Sequence, residues 1–373
     1  MNDFTSRNLC TGCGVCEAVC PQKAILLKPD QEGFFYPCIE ESLCSHCQQC
    51  ILKCPVKNSS PANTHSTFFG AHAKDKRIRL MGSSGGIFPL LAISVLQKQG
   101  IVFGAALTKD GQVLHKGIDK ISDLEQITRT KYVQSNLSGI WEKINISLKE
   151  GRVVLFCGTP CQTEALRSYL GKEYENLFLA DLICYGVPSP GIWHNYLDFL
   201  KKRYHQKPKN FFFRDKRRKD NGHSVTIQFE NTESSYSIYE DPFLRSYFKN
   251  INLRPSCYHC SYCTVARNSD ITLGDFWGLE GINPQFDDGL GNSLLICHTA
   301  KGKHLFEHIK GETEWFSCEE ADAIQPRLQK PTKPSIARSL YMLLYQCLPF
   351  SLWIRLFSSC GPVHKLSSLL LKR

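Results

Sequence analysis

The sequence predicts three parts: a small α+β module built on cysteine motifs, a larger α/β domain and a short helical C-terminal tail. Two copies of one cysteine motif lie within residues 1–58. Two strand-turn-helix units follow one another over residues 153–170 and 177–204, which indicates an α/β sheet. The apolar but interrupted stretch 340–357 indicates short helices. We place the three parts at residues 1–58, 68–325 and 326–373.

The first module contains the motif Cys-x-x-Cys-x-x-Cys-x-x-x-Cys-Pro twice. Three cysteines at this spacing surround one cubane cluster, and in two-cluster ferredoxins the fourth ligates the other cluster. Structural zinc, the alternative for Cys-x-x-Cys pairs, has no use for a third cysteine or for the Cys-Pro ending. The predicted ligands are Cys10, Cys13, Cys16 and Cys54 for one 4Fe-4S cluster, and Cys20, Cys44, Cys47 and Cys50 for the other. Residues 5–58 thus resemble bacterial-type two-cluster ferredoxins.

The composition fits a globular protein. Hydrophobic residues make up 42% and charged residues 21% of the 373 residues. The 19 cysteines, many at metal-ligand spacing, favour a reducing cytosol over a disulfide-forming compartment. The first seven residues do not form a signal peptide, and polar residues interrupt the tail too often for a membrane span. We therefore expect a cytoplasmic protein.

The formal net charge of +10 does not by itself indicate nucleic-acid binding. The count treats cysteines as neutral, whereas each oxidised four-thiolate cluster carries roughly −2. We expect the basic run 214–219 (RDKRRK) to be a solvated loop beside a strand rather than a DNA contact. Its other use would be to receive an anionic substrate or an acidic redox partner. No nucleic-acid partner is expected.

The larger domain begins with a serine- and glycine-rich turn at residues 83–86 that precedes an apolar helical segment. Glycines at a helix start can leave room for a phosphate or the edge of a flat ring, although an ordinary helix cap explains them equally well. Two strands, Ile101–Leu107 and Val113–Ile118, follow with Asp110-Gly111 as their turn. Residues 129–133 (RTKYV) then group a cation, a hydroxyl and an aromatic ring.

Two cysteines fall at the ends of consecutive strands. Thr159 is predicted to cap a helix with Pro160 as its first residue, which places Cys161 in the first turn. The positive end of a helix lowers the pKa of a thiol, so Cys161 is either a cluster ligand or a reactive nucleophile. Cys184 ends the next strand. Both lie at the carboxyl edge of the sheet, where ligands of α/β proteins bind.

A third group of cysteines comprises Cys257, Cys260 and Cys263, and its Cys-x-x-Cys spacing suits zinc or iron–sulfur ligation. The remaining cysteines have no ligand spacing, and we expect them to serve in packing. They are Cys38, Cys157, Cys297, Cys318, Cys347 and Cys360.

Over about residues 68–300, the chain resembles the family of coenzyme F420 hydrogenase/dehydrogenase beta subunits. The resemblance rests on five motifs in this order: Ser-Gly-Gly, Lys131-Tyr132, the Gly-Thr-Pro-Cys-Gln of residues 158–162, Ile183-Cys184 and the late Cys-x-x-Cys. The resemblance implies a domain that binds FAD and an iron–sulfur cluster and exchanges electrons with a deazaflavin or similar acceptor. The predicted fold class is thus an α+β ferredoxin-like two-cluster module followed by an α/β flavoprotein-type domain with a short helical C-terminal tail. Residues 213–216 and 274–278 resemble the bacterial branch often associated with polysaccharide biosynthesis.

The resemblance also implies site residues. A third 4Fe-4S cluster would be held by Cys161, Cys184, Cys257 and Cys260, with Cys263 as an additional cysteine that could replace Cys260. The residues expected near the flavin are Ser84, Gly85, Gly86, Lys131 and Tyr132.

These features predict an iron–sulfur flavin-dependent oxidoreductase. Each cluster carries one electron at a time, whereas a hydride acceptor takes two electrons at once. A flavin can exchange either one or two electrons, so it can connect the clusters with such an acceptor. The expected partner is a redox protein or a small-molecule electron acceptor. No Gly-x-Gly-x-x-Gly dinucleotide motif is present, so FAD rests on the resemblance alone.

Three alternatives remain. The first is a non-catalytic electron-relay subunit that docks through the apolar tail. The second, a radical enzyme that uses S-adenosylmethionine, would need a Cys-x-x-x-Cys-x-x-Cys motif that this chain lacks. The third is thiol redox chemistry at Cys161. The sequence leaves the oligomeric state open.

Overall fold

A mixed sheet of eight strands forms the centre of the protein, as described by a computed structural model that covers residues 5–59, 62–218 and 223–358. The strands are β1 (Ile25–Pro29), β2 (Phe35–Ile39), β3 (Thr67–Ala73), β4 (Ile101–Leu107), β5 (Val113–Ile118), β6 (Val154–Gly158), β7 (Leu177–Leu182), β8 (Asn210–Phe212), β9 (Ser224–Gln228), β10 (Glu233–Ser237), β11 (Ile271–Asp275), β12 (Ser293–Cys297) and β13 (Thr313–Cys318). The helices are α1 (Val15–Ala18), α2 (Gln49–Leu52), α3 (Lys76–Met81), α4 (Ile87–Gln97), α5 (Ile140–Lys149), α6 (Pro160–Leu170), α7 (Pro190–Tyr204), α8 (Pro242–Phe248), α9 (Leu279–Ile282), α10 (Ala300–Glu307), α11 (Glu320–Ala323), α12 (Arg338–Cys347) and α13 (Phe350–Trp353).

The central sheet has the strand order β13-β3-β12-β11-β7-β6-β4-β5. Its middle strands β11, β7, β6 and β4 are parallel, and the remaining pairs are antiparallel. Every residue of β6 is buried, as expected for a strand covered on both faces. Gly158 of β6 pairs with Asp181 of β7, so the two strands end side by side. The sheet therefore brings the segments that follow β6 and β7 to one edge.

Helices cover both faces of this sheet. Helix α4 packs with α10 in one core, while α5 and α6 form the other core with residues of the cysteine-rich module. Helix α6 begins as predicted, because Thr159 and Gln162 form a reciprocal capping box and Pro160 occupies the first turn. Cys161 therefore lies in the first turn of α6, next to the sheet edge.

A second, three-stranded antiparallel sheet has the order β10-β9-β8. It shares an apolar core with helices α7, α8, α12 and α13. Trp193 of α7 and Trp353 of α13 are both fully buried in this core. The described part of the tail is therefore a helical hairpin that packs against the rest of the protein. Cys360 lies outside the described residues.

The prediction for the basic run is wrong for its first half. Arg214 forms an ion pair with Asp275, and Asp215 and Lys216 are buried rather than solvated. The Lys216 amine donates hydrogen bonds to the backbone carbonyls of Arg79 and Ser84, because the run turns back towards the central sheet. Lys219 lies outside the described residues. Within the described ranges, no helix combines the length and the apolar character needed to cross a membrane.

Candidate functional site

Four cysteines of the first module, which are the predicted ligands of one cluster, lie around one pocket. Cys10 and Cys13 from the loop before α1 and Cys16 from α1 itself line this pocket together with Cys54, which follows α2. We call these four cysteines the first site. Four convergent cysteine sulfurs are the donor set that a 4Fe-4S cluster takes.

The second site consists of Cys20, Cys44, Cys47 and Cys50. The Cys20 and Cys47 sulfurs are both close enough to Cys50 to raise the pKa of its thiol, although burial is the larger cause. Cys47 is exposed, whereas Cys10 and Cys54 of the first site are buried. The first site therefore faces the rest of the protein, and the second site is the more open of the two. Cluster ligation at both sites stays a prediction.

Burial strongly perturbs the thiols of the first site. It raises the pKa of Cys13 to about 12, and the neighbouring Cys10 and Cys54 sulfurs add to this effect. The pKa of Cys16 is raised for the same reasons. Because metal ligands must be thiolates, iron has to compensate the charge that this crowded, buried pocket disfavours.

Three side chains of the larger domain hold the loop of the first site through its backbone carbonyls. Arg254 Nε donates to the Cys10 carbonyl at 2.7 Å, and Gln134 Nε2 donates to the Thr11 carbonyl at 2.9 Å. Trp141 Nε1 donates to the Cys13 carbonyl at 3.0 Å. Each bond joins residues more than one hundred positions apart in the sequence. The first module is therefore docked on the sheet domain with its first site facing inward.

A second cysteine-lined cavity of about 470 Å³, open to solvent, lies at the carboxyl edge of the central sheet. It is lined by the four predicted ligands and by the additional cysteine of the late motif, and we call this group the third site. Its cysteines are Cys161, Cys184, Cys257, Cys260 and Cys263. The structure therefore brings together every cysteine predicted for a third cluster. Thr11 of the first module also lines this cavity, so the first and third sites are neighbours.

The environment of Cys161 differs from the expectation drawn from its helix position. Burial raises the pKa of the Cys161 thiol to about 11, and the nearby Cys260 sulfur adds to the increase. The decrease in thiol pKa that is expected at a helix start is therefore outweighed by desolvation. Burial likewise raises the pKa of Cys257 to about 12 and that of Cys184 well above its ordinary value. These thiols suit metal ligation better than they suit free nucleophilic chemistry.

Cys260 and Cys263 form a hydrogen-bonded thiol pair. The bond from Cys263 lowers the pKa of Cys260 to about 7 and raises the pKa of Cys263. The Cys184 sulfur is also near Cys263, and the Cys161 sulfur is near Cys260. Both members of the pair therefore reach the same group of sulfurs, and the fourth ligand of the third site stays open between them.

The residues predicted near a flavin come from two loops that meet. Ser83 Oγ accepts a hydrogen bond from the Thr130 N–H at 2.8 Å, which joins the turn of residues 83–86 to the segment containing Lys131 and Tyr132. Ser84 Oγ donates to the Asn292 carbonyl at 2.8 Å. Burial lowers the pKa of Lys131 to about 7, and the nearby Arg129 charge contributes. The two loops therefore form one continuous surface with a perturbed lysine.

Packing accounts for both glycines of the turn. A side chain at Gly85 would lie 2.5 Å from the Ala71 carbonyl oxygen, and the Gly85 N–H already donates to Ser293 Oγ. Gly86 has φ of +81° and begins helix α4. Both glycines are thus required by the approach of strands β3 and β12 and by the helix start. Their role in holding a phosphate or a flavin stays a prediction.

Tyr132 connects this region to the third site. Its ring lies 5.0 Å from the ring of the fully buried Tyr247. Tyr247 belongs to the same apolar cluster as Cys257, and its ring is 5.3 Å from that of Tyr185, which follows Cys184. An unbroken group of aromatic side chains therefore separates the predicted flavin residues from the cysteines.

Several residues that shape these sites were not predicted from the sequence. Arg254, Gln134 and Thr11 lie between the first and third sites. His115 is buried, and its Nε2–H donates to the Cys157 carbonyl at 3.0 Å, while Nδ1 has no partner among the described atoms. None of these residues belongs to a repeated spacing pattern, so only the tertiary arrangement identifies them.

Comparison with known proteins gives two family matches. Residues 151–321 match the family model described as the C terminus of the coenzyme F420 hydrogenase/dehydrogenase beta subunit. Residues 9–58 match the model described as 4Fe-4S dicluster domain. The first match contains all five cysteines of the third site, and the second contains all eight cysteines of the first and second sites.

The chain is also similar to individual proteins. The chain is 23% identical to the F subunit of the F420H2 dehydrogenase of Methanosarcina mazei over 328 residues, which cover 84% of this chain and 85% of that protein. Over 53 residues, 14% of this chain, it is 35% identical to an uncharacterized ferredoxin of Methanocaldococcus jannaschii and covers 68% of it. A chain in a structure of the F420-reducing NiFe hydrogenase complex from Methanosarcina barkeri aligns over 79% of this chain and 91% of its own length, with 17% identity and a TM-score of 0.45.

The cysteine motifs, the two family matches and the Methanosarcina mazei relative therefore agree with the resemblance found in the sequence. Residues 151–321 belong to the family of coenzyme F420 hydrogenase/dehydrogenase beta subunits, and a 4Fe-4S dicluster ferredoxin module precedes them at residues 9–58.

Proposed function

We propose that this protein is an electron-transfer subunit with three 4Fe-4S clusters, one at each of the three cysteine sites. When bound, such clusters accept and release single electrons. The observation that carries the proposal is the cavity at the sheet edge, where five cysteines from three separate segments meet beside a residue of the first module. A cluster that binds several thiolates would account for so many sulfur donors in one place.

The arrangement supports an order for the three sites. The second site includes the exposed Cys47, so it is the natural point of contact for a redox partner protein. Thr11, from the ligand loop of the first site, lines both the first-site pocket and the cavity of the third site. We therefore place the first site between the other two. The side chains of Arg254, Gln134 and Trp141 support this order, since they hold the loop of the first site against the sheet domain.

A flavin, proposed as FAD, would bind where Ser84, Gly85, Gly86, Lys131 and Tyr132 lie. Supporting observations are the meeting of the two loops, the lowered pKa of Lys131 and the aromatic contact between Tyr132 and Tyr247. A flavin there would allow single electrons to be combined for hydride exchange with a small acceptor. A buried lysine with a pKa of about 7 can hold a proton or an anionic group of the ligand near neutral pH.

The second candidate function is an electron-relay subunit that holds no flavin and acts only beside a catalytic partner. It is favoured by the packing explanation of Gly85 and Gly86. The names of two similar proteins, one a subunit of a dehydrogenase and the other a chain of a hydrogenase complex, also favour assembly with other subunits. No described contact identifies a sugar substrate, so a role in polysaccharide biosynthesis gains no structural support.

The deciding experiment is anaerobic purification with iron, sulfide and flavin counted per chain. Three clusters give about twelve irons, and Cys161→Ser should remove about four of them. Cys157→Ser is the matched control, because Cys157 is buried on β6 but does not line the cavity. About eight irons in the unmodified protein would disprove the third cluster, and twelve irons without flavin would select the relay function.

A further inference from the structure

Arg254 is almost fully buried between the first and third sites, with 1% of its surface exposed. Its Nε donates to the Cys10 carbonyl at 2.7 Å, and one terminal nitrogen lies 3.6 Å from Cys10 Sγ. The same nitrogen donates to the Phe35 carbonyl at 3.0 Å, and the guanidinium lies 4.3 Å from the centre of the Tyr36 ring. The cation is thus held against a predicted cluster ligand from several directions.

The loop of the first site is shaped to admit this side chain. Gly12 has φ of +67°, and a Cβ at this position would lie 2.7 Å from Arg254 Nη1 and 2.9 Å from Gln134 Nε2. Gln134 Oε1 accepts a hydrogen bond from Arg254 Nη1 at 3.0 Å, while its amide nitrogen holds the Thr11 carbonyl. The absence of a side chain at Gly12 therefore leaves room for the guanidinium.

Arg254 also belongs to the third site. It lines the cavity, and its own carbonyl accepts a hydrogen bond from the Cys257 N–H at 2.9 Å. Its N–H donates to the Val187 carbonyl at 3.0 Å, three positions after Cys184. One residue thus contacts the ligand loop of the first site through its side chain and fixes the ligand segments of the third site through its backbone.

Among the described residues, no carboxylate forms an ion pair with Arg254, whereas Arg267, which also lines the cavity, pairs with Asp181 at 3.2 Å. A buried cation without a counter-ion is strongly disfavoured, and Arg stays protonated in proteins. A negatively charged group on either side would compensate it, and four-thiolate clusters carry such a charge.

We propose that Arg254 is a positioning residue shared by two iron–sulfur sites, whose single positive charge raises the reduction potentials of both clusters. This inference rests on the proposed function, since it requires clusters at the first and third sites. Reduction adds one electron from a one-electron donor and takes a cluster from roughly −2 to roughly −3. A buried cation stabilises the more negative form, and hydrogen bonding near cluster sulfurs acts in the same direction.

The test is an anaerobic redox titration with dithionite, in which the spectrum of each reduced cluster is followed by electron paramagnetic resonance. Arg254→Gln should make reduction of the first-site cluster about tenfold less favourable, a shift of about 59 mV to lower potential for one electron. The third-site cluster should shift in the same direction by a smaller factor. The second-site cluster should keep its potential, because none of its cysteines contacts Arg254 in the described structure.

Arg7→Gln is the matched control. Arg7 also lies over the Tyr36 ring, at 5.2 Å, but its side chain is 48% exposed and is paired with Asp30. Its replacement should leave all three potentials unchanged. Arg254→Lys keeps the positive charge and should therefore retain the third-site potential. It should lower the first-site potential, because a lysine amine cannot replace the several hydrogen bonds that the planar guanidinium donates around Cys10. If the glutamine variant loses iron, the lysine variant decides the question by this difference between sites.

Unchanged potentials in an iron-loaded Arg254→Gln protein would overturn the inference, as would equal shifts at all three sites. A third-site potential lowered as much in the lysine variant as in the glutamine variant would also overturn it, because the retained charge would then have no effect. The proposed function fails separately, if the unmodified protein holds fewer than about twelve irons.

Discussion

Replacing Gly12 by alanine should destabilise the docking of the first module far more than the same change at Gly14. Both glycines have positive φ, +67° and +75°, so alanine strains the backbone at either position by about 1–2 kcal/mol. At Gly14 the new Cβ would only touch Leu27, at an ordinary 3.5 Å. At Gly12 it would overlap the Arg254 guanidinium and force it out of its hydrogen bonds. Since bonds of a charged group contribute about 1.5–3 kcal/mol, we expect a total loss of about 3–5 kcal/mol for Gly12→Ala.

The assay is anaerobic urea unfolding of the iron-loaded proteins, followed by cluster absorbance and tryptophan fluorescence. Gly12→Ala should lower the midpoint of cluster loss well below that of Gly14→Ala, and the Gly14 variant should fall below the unmodified protein only by the backbone strain of about 1–2 kcal/mol. Equal midpoints for the two variants would refute the reasoning, because backbone strain alone would then explain both. The comparison does not require the transition to be two-state, which bound clusters often prevent.

Two further predictions concern buried hydrogen bonds. Trp141→Phe removes the hydrogen bond to the Cys13 carbonyl, so it should lower the free energy of unfolding by about 1 kcal/mol and accelerate iron release from the first site. Trp193→Phe removes an equivalent bond to the Gly111 carbonyl, and it should lower the free energy of unfolding as much but leave iron release unchanged. Equal release rates would contradict this. Burial lowers the pKa of His115 to about 4, below its ordinary 6.5, so an unfolded chain takes up the proton first as the pH falls. As the pH falls from about 6.5 to about 4, the free energy of unfolding should therefore decrease by up to about 3 kcal/mol more in the unmodified protein than in His115→Gln. Free energies of unfolding that fall in parallel for the two proteins, measured anaerobically, would contradict this.

The local parts of the fold could be predicted because short-range patterns determine them. The unit formed by β6 and α6 was predicted with its cap and first proline, since Thr159, Pro160 and Gln162 act within one helical turn. The crossed cysteine sets follow from a similar argument, because a repeated spacing limits which sulfurs can share a cluster, and they stay a prediction.

Strands β3 and β13 were missed, although they extend the central sheet on one side. Strand β13 alternates only weakly between buried and exposed residues, and β3 lies at the predicted start of the larger domain and contains Gly70 and His72. Their pairing joins residues more than two hundred positions apart, which no local pattern reports. The basic run was misjudged for the same reason, because Asp275 and the Ser84 carbonyl that satisfy its charges are distant in sequence.

At the third site, too, local features could be predicted from the sequence and the tertiary arrangement could not. Its cysteines could be named from the family resemblance, but their meeting in one cavity depends on the edge of a sheet whose strands are far apart in the sequence. The raised pKa of Cys161 could not be predicted, because the helix start is visible in the sequence and the burial is not. Arg254 is a single arginine with no motif of its own, and only docking of the first module reveals its position.

The most direct test of the central claim is spin quantitation of the fully reduced protein by electron paramagnetic resonance, compared with Cys184→Ser. Three clusters at neighbouring sites predict about three unpaired electrons per chain, with line broadening from the interaction between the first and third sites. The Cys184 variant should retain about two and lose that broadening. Two spins in the unmodified protein, unchanged by Cys184→Ser, would contradict the account.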